Sequence, residues 1–251
     1  MIKHLSYQDA IYASYRSAFK GDADADALAF NAAKLQPVIE PWVASLPRDS
    51  VVMDLGCGAG ELLLAFRNLG FTRLCGCDLS EEQVALARTI APEVASENLF
   101  DFLSDRDDES VDVMTLFDVL EHLTRQETYD LLGIIGRKLK PGGLLIGHVP
   151  NGLSPFAGHV FYGDPTHQWC PTPSAMRTML SVTNFVDFAA AEHLGTSKSL
   201  QGRMRSWMWS LQRHVISTAN LVETGTRGEG IWTRNFAFKA RTPRTGTLTE
   251  E

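Results

Sequence analysis

Residues 51–61 read VVMDLGCGAGE: an apolar run from Val51 to Leu55 is interrupted only by Asp54, and Gly56, Gly58 and Gly60 follow at alternate positions. Such a run bounded by a glycine turn has the length and composition of a fully buried strand, and Ala59 to Leu69 continues with helical spacing. Where a strand passes through glycines into a helix, a parallel sheet with crossover helices receives nucleotide-like ligands, because glycine lets the backbone turn tightly and approach the ligand. The spacing is not the G-x-G-x-x-G of dinucleotide sites. A carboxylate just ahead of the turn would also repel a pyrophosphate at the helix N-terminus, so Asp54 suits a ligand carrying a cationic amine or sulfonium.

The same alternation spreads outward. Arg73 to Asp78 reads as a strand and Ser80 to Ile90 as a helix, with Ser80 as its cap and Glu81 and Glu82 in the first turn. Val94 to Phe100 reads as a short strand and Val111 to Phe117 as a longer one. Thr124 to Leu139 is an amphipathic helix ended by Lys140-Pro141-Gly142-Gly143, and Leu144 to Val149 is the next strand. This βαβα rhythm predicts a parallel sheet covered on both faces by helices. A long loop rich in Gly, Pro, His and aromatics follows to Pro171. Thr172-Pro173 opens a helix to Val182, Phe185 to Glu192 is a strand, Leu200 to Ala219 a helix, and Ile231 to Ala240 the last strand.

Upstream, Leu5, Ile11, Tyr12, Tyr15 and Phe19 recur at helical spacing, GDADAD reads as a solvated linker, and Ala27 to Ser45 is helix-compatible until Pro37 and Pro41 break it. The predicted organisation is a helical cap over 1–47, an α/β domain over 48–240 with the long loop at 150–172 and a basic amphipathic helix inserted at 198–219, and a disordered tail over 241–251.

With 23 Lys and Arg against 30 Asp and Glu, the net charge of −7 lacks the basic surface that a general nucleic-acid binder needs to displace counterions. No apolar run reaches the roughly 18 to 20 residues that span a bilayer, and the start lacks the pattern of a secretory signal, so the expected location is the cytoplasm. Cys57, Cys75, Cys77 and Cys170 form neither a disulfide framework nor a zinc-finger spacing; Cys75 and Cys77 share one strand face and read as small buried apolar groups.

Asp78 ends the second strand, where its two oxygens can accept from both hydroxyls of a ribose. VVMDLGCGAGE, GCDLS (76–80), VDVMTLFDVLEHL (111–123) and LKPGGLLIGHVPN (139–151) together resemble successive motifs of the class I S-adenosylmethionine-dependent methyltransferases. The resemblance implies a Rossmann-like, seven-stranded, mostly parallel sheet whose last strand is antiparallel, with S-adenosylmethionine as cofactor and S-adenosylhomocysteine as product. By position it also implies that Gly56, Gly58 and Gly60 border the methionine moiety, that Asp78 and Leu79 meet the ribose and adenine, and that Asn98 and Leu99 lie near the adenine. Asn98 replaces the more usual Asp. Phe117 and Asp118 are implied to line the methyl-transfer cleft.

ENLFDFL (97–103), PNGLSPFAG (150–158), FYGDPTHQWCPTPSAM (161–176) and IWTRNFAFKA (231–240) are similar to methyltransferases encoded with bacterial O-antigen, capsule and other surface-glycan enzymes. That similarity implies a sugar hydroxyl as methyl acceptor. Pro165 and Gln168 depart from the Phe and Glu that are common in such relatives.

A sugar hydroxyl is a poor nucleophile, and a positioned base typically contributes about 10² to 10⁴ in rate. His167, in the loop after the fifth strand, is the expected base, with Asp164 fixing its tautomer; His122, with Glu121 and Asp118 beside it, is the reserve. His148, mid-strand, reads as structural and His159 as a loop residue. Asp118, His122, Asp164 and His167 are also chemically able to hold Mg²⁺ or Mn²⁺, but their sequence separation gives no support for a metal and none is expected. Phe156, Phe161, Tyr162 and Trp169 suit core or lid packing, or stacking on sugar rings. Rival readings are a quinone precursor or another small metabolite as acceptor, a nucleotide-dependent oxidoreductase, and a non-catalytic S-adenosylmethionine-binding module. Lys198, Arg203, Arg205 and Arg213 with Met204, Trp207, Met208, Leu211 and Val215 outline a helix suited either to packing or to an anionic membrane.

Overall fold

The computed structural model describes residue 11 and residues 25–194 and 199–244. The expected helix over residues 5–19, apart from Ile11, most of the acidic linker, Lys198 and the tail from 245 lie outside the described residues.

Strands β1 (Val51–Leu55), β2 (Arg73–Asp78), β3 (Glu93–Ser96), β4 (Val111–Phe117), β5 (Leu139–Pro150), β6 (Val186–Glu192) and β7 (Asn235–Arg241) form one sheet in the order β3-β2-β1-β4-β5-β7-β6. The pairs among β1 to β5 are parallel, and β7 runs antiparallel to both β5 and β6. This is the sheet that the sequence implied, including its antiparallel last strand.

Because successive strand residues point to opposite faces, the sheet builds two cores. Val52, Val113, Leu144 and Ile146 face one side, where α1 (Ala25–Val43), α2 (Glu61–Asn68) and α3 (Glu81–Ala87) contribute Ile39, Val43, Leu63, Phe66 and Val84. Met53, Leu55, Met114, Leu116 and Leu145 face the other, covered by α4 (Leu99–Ser104), α5 (Arg125–Lys138) and α7 (Pro173–Val182) through Phe102, Leu131, Leu132, Ile135 and Leu180. Each fully buried Phe or Leu contributes roughly 1.5 to 3 kcal/mol against its exposed state. Cys75 and Cys77 sit in one core and Cys57 in the other, all as free thiols.

Several local expectations change. Pro37 and Pro41 do not end α1, which runs on to Val43; the burial of Ile39 and Val43 offsets hydrogen bonds that proline cannot donate. The strand expected over 94–100 stops at Ser96, because Asn98 accepts a hydrogen bond from Phe100 N at 2.8 Å and caps α4, whose Phe102 and Leu103 are buried. Lys140 to Gly143 is not a separate turn. It belongs to β5, where the register against β4 shifts between Val111 and Val113 and absorbs the extra residues as a bulge. The long loop contains a short helix, α6 (Ala157–Phe161), α8 (Leu200–Thr224) extends beyond Ala219, and β7 starts only at Asn235.

Candidate active site at the carboxyl edge of the sheet

The first half of the site is the turn between β1 and α2. Gly56 N and Cys57 N both donate to Cys77 O, at 2.8 and 2.9 Å, which ties the turn to the end of β2. Gly60 caps α2 with a φ of 91°, a left-handed conformation that favours glycine, and a Cβ there would lie 3.1 Å from the Ala87 Cα of α3. Gly76 is tighter still: its Cβ would lie 2.5 Å from Asp54 O. Sequence reasoning quoted this glycine without assigning it a role; its placement opposite Asp54 in the β1–β2 register is the reason for it.

Asp78 reaches into this turn. Its Oδ2 accepts from Gly58 N and its Oδ1 from Ser80 N, both at 2.9 Å, so the carboxylate is held rigid while each oxygen keeps a lone pair for another donor. Asp54 is buried and accepts a hydrogen bond from Thr115 Oγ1. Burial pushes its carboxyl from 3.8 up to about 7, with Glu61 and Asp78 adding repulsion and the Thr115 bond opposing the change. Leu79 and Asn98 are exposed beside this turn and Leu99 is half-buried.

The second half of the site lies at the ends of β4, β5 and β6. Phe117 stacks on His148, with centroids 5.4 Å apart, and Asp118 adopts a positive φ of 54° while donating its N–H to His148 O. The Asp118 Oδ1 then lies 2.7 Å from His148 Nδ1, and His148 Nε2 lies 2.6 Å from His193 Nδ1. A carboxylate only accepts, so in the arrangement with both rings uncharged Nδ1 of His148 donates to Asp118, Nε2 of His148 accepts from His193 Nδ1, and the lone pair of His193 lies on Nε2. Burial, reinforced by His148, lowers His193 to about 4 although Asp118 opposes this, so the ring stays neutral near physiological pH. The sequence reading treated His148 as structural and did not use His193. Its position directly after a strand end was the available signal.

Beside this chain lies a second cluster. Gln168 N donates to Glu121 O at 2.7 Å and Trp169 Nε1 to Leu120 O at 2.8 Å, pinning the loop onto the 3-10 turn Leu120–His122. The rings of His122 and His167 meet edge to face, 4.8 Å apart. Asp164 Oδ1 accepts from both Thr166 N and Thr166 Oγ1, and Thr166 Oγ1 lies 2.8 Å from His122 Nδ1. The acid expected to orient His167 is thus linked through Thr166 to His122. Burial works to raise Asp164, but the two Thr166 hydrogen bonds, with His122 and His167, outweigh it and hold the carboxyl below its usual range. Glu121 is buried, which lifts its carboxyl well above the usual range, and the charges of Asp118 and Asp164 lift it further. His159 is exposed on α6.

The family model described as "Methyltransferase domain" matches residues 27–194, about two thirds of the chain. YqeM of Bacillus subtilis (strain 168), a provisionally assigned methyltransferase, is 32% identical over 114 residues, which span 42% of this chain and 44% of the relative. The chain therefore aligns with less than half of that curated relative's length. An S-adenosylmethionine-dependent methyltransferase from Archaeoglobus fulgidus superposes with a TM-score of 0.64 at 17% identity, covering 94% of this chain and 100% of that one. The magnesium protoporphyrin IX methyltransferase of Synechocystis PCC 6803, solved with bound S-adenosylhomocysteine, gives 0.56 at 15% identity over 93% of this chain and 96% of that one. At such identities the likeness is one of fold.

Proposed function

Because the chain belongs to the methyltransferase-domain family and has the fold of the S-adenosylmethionine-dependent enzymes, we propose that it transfers a methyl group from S-adenosylmethionine to a hydroxyl oxygen of a surface-glycan sugar or its precursor. The residues fit that cofactor. Asp78 keeps lone pairs for two ribose hydroxyls, Asp54 is a buried carboxyl that an ammonium or sulfonium would ionise, and a Cβ at Gly58 would come within 3.1 Å of Gln83 Oε1, filling the turn. The cofactor supplies a methyl group on a cationic sulfur, which leaves as a neutral thioether when the acceptor oxygen bonds the methyl carbon.

The chain's own task is to position the hydroxyl and accept its proton. The observation that carries the hydroxyl reading is the run Asp118–His148–His193, an acid-oriented imidazole pair at the carboxyl edge of the sheet. A carboxylate or thiolate acceptor would need no such base. We assign the proton to His193 Nε2 rather than to His167, because the acid-to-imidazole contact is made here. Phe156 and Tyr162, exposed in the loop that follows β5, offer faces for the apolar side of a sugar ring. Exposed Leu200, Met204, Trp207 and Leu211 with Arg203 and Arg205 on α8 support a peripheral contact with an anionic membrane carrying lipid-linked precursors. Among the described residues no helix is long and apolar enough to cross a membrane.

Labelled S-adenosylmethionine incubated with nucleotide sugars, lipid-linked oligosaccharides and phenolic quinone precursors tests the reading. Label should enter a sugar, and His193→Ala should lower turnover by about 10² to 10⁴ at unchanged S-adenosylhomocysteine affinity. Transfer to the phenols alone would refute the glycan assignment. Full turnover in His193→Ala would refute the base.

A further inference from the structure

We propose that Glu121, His122 and His167 bind one divalent transition-metal cation. Each offers one ligand atom, and these atoms all lie within 4.8 Å of one another. A cation centred among atoms at that spacing is within about 2.8 Å of each, so small side-chain rotations reach the roughly 2.0 to 2.2 Å of imidazole and carboxylate bonds.

The independent observation is what these groups lack. Glu121 is 1% exposed, and its Oε2 has no hydrogen-bond partner. His167 Nδ1 is likewise buried without a partner. Both residues of the cluster thus carry a buried polar atom that no protein group matches, and leaving such atoms unmatched costs free energy comparable to a lost hydrogen bond or more. A cation satisfies them together.

The surroundings are those of a ligand set held in place. Thr166 Oγ1 donates its hydrogen to Asp164 Oδ1 and so accepts from His122 Nδ1, an arrangement in which an uncharged His122 ring carries its lone pair on Nε2. Hydrogen bonds of this kind at the distal nitrogen orient metal-binding histidines. The loop that delivers His167 is fastened to the turn carrying Glu121 by the Gln168 and Trp169 bonds, so the three donors are brought together before any ion arrives. Two imidazoles and one carboxylate favour Mn²⁺, Fe²⁺, Co²⁺ or Zn²⁺ over Mg²⁺ and Ca²⁺, which prefer oxygen donors. Three protein ligands leave positions open. On the proposed function these would hold the acceptor hydroxyl and make it more acidic; the binding of the cation does not depend on that function.

The test uses full-length, tag-free protein stripped with chelator and titrated with Co²⁺, Mn²⁺ and Mg²⁺ by calorimetry, with visible absorption for Co²⁺. Expected are one Co²⁺ per chain, tighter than Mg²⁺ by at least tenfold, and a metal-dependent rise in melting temperature. Glu121→Gln keeps the shape of the buried side chain, and it and His167→Ala should each weaken Co²⁺ by a hundredfold or more, while His159→Ala, in the same loop but outside the cluster, leaves it unchanged. Absence of saturable Co²⁺ binding in folded wild type, or equal binding in folded Glu121→Gln and His167→Ala, overturns the site. Co²⁺ binding without methyl transfer to any acceptor would leave the site standing and remove the proposed function instead.

Discussion

Replacing Asp54 by Asn separates the burial of this carboxyl from its charge, since the amide keeps the shape and its oxygen still accepts from Thr115 Oγ1. In the folded, cofactor-free chain the carboxyl titrates at about 7 against 3.8 for an unperturbed group. The folded state therefore holds the proton more tightly than the unfolded chain does. Its contribution to stability is full below about pH 4 and declines as pH rises, until the folded group ionises near 7. At about 1.4 kcal/mol per pH unit, wild type should lose about 3 kcal/mol from this group between pH 5 and pH 8, and the D54N variant nothing. Urea unfolding of both proteins at pH 5, 6, 7 and 8 isolates the effect, because other titrations cancel in the difference. Wild type should weaken relative to D54N across that range. The ammonium group of the ligand should reverse the preference by ionising Asp54: wild type should bind S-adenosylhomocysteine more tightly as pH passes 7, whereas D54N should show a weaker and flatter profile by calorimetry. A difference in stability that stays constant from pH 5 to 8 would show that Asp54 is not held protonated by burial.

Asp78→Ala removes hydrogen bonds to Gly58 N and Ser80 N as well as the ribose acceptor; S-adenosylhomocysteine affinity should fall by a few kcal/mol, as each charge-assisted bond is worth roughly 1.5 to 3, and calorimetry should show no NAD binding in either protein. His193, lowered to about 4, should remain neutral at pH 5.5 in an NMR titration; its contribution to folding is present above the unfolded value near 6.5 and lost as pH falls through 4. Asn98→Ala should cost about 1 kcal/mol of stability in a urea melt, by removing the α4 cap. Full-length protein should sediment with anionic vesicles at low salt, and R203E with R205E should abolish this; no sedimentation of wild type would exclude the membrane contact.

The parts of the fold that could be read from sequence were those encoded by a local pattern. The run into Gly56, Gly58 and Gly60 located β1 and its turn, Ser80 and Thr172 marked helix starts that the structure places one residue later, and Val111 to Phe117 has the predicted bounds. Expectations changed where packing or a side-chain bond outweighed the pattern. Residues 97–100 look strand-like by composition, yet Asn98 turns the chain into α4. The site divides in the same way. Asp54 and Asp78 flank a glycine turn within one βαβ unit, so adjacency in sequence revealed adjacency in space. Glu121 and His122 are neighbours too, but the burial that leaves Glu121 Oε2 unmatched depends on a loop more than forty residues downstream.

The His148–His193 pair shows why topology limits what a linear reading can find. His148 lies in β5 and His193 directly follows β6, and these two strands are not neighbours in the sheet, because β7 lies between them. His148 pairs in register with Ala237, and Ala237 pairs in turn with Ala191, two residues before His193. Paired residues share a face, so the residue of the intervening strand in register with both His148 and Ala191 is Ala237, whose side chain is a single methyl group, and His148 Nε2 lies 2.6 Å from His193 Nδ1. The contact therefore depends on an antiparallel insertion, a register and a small residue, none of which is visible near either histidine in the sequence. The same arrangement explains a division of labour in the proposed reaction. A histidine kept neutral by burial is available to accept a proton but is a weak base, so it needs a hydroxyl made more acidic by its surroundings. Glu121, His122 and His167 lie on the neighbouring turn and loop, where Asp118 influences both groups, and a cation there would supply that acidity.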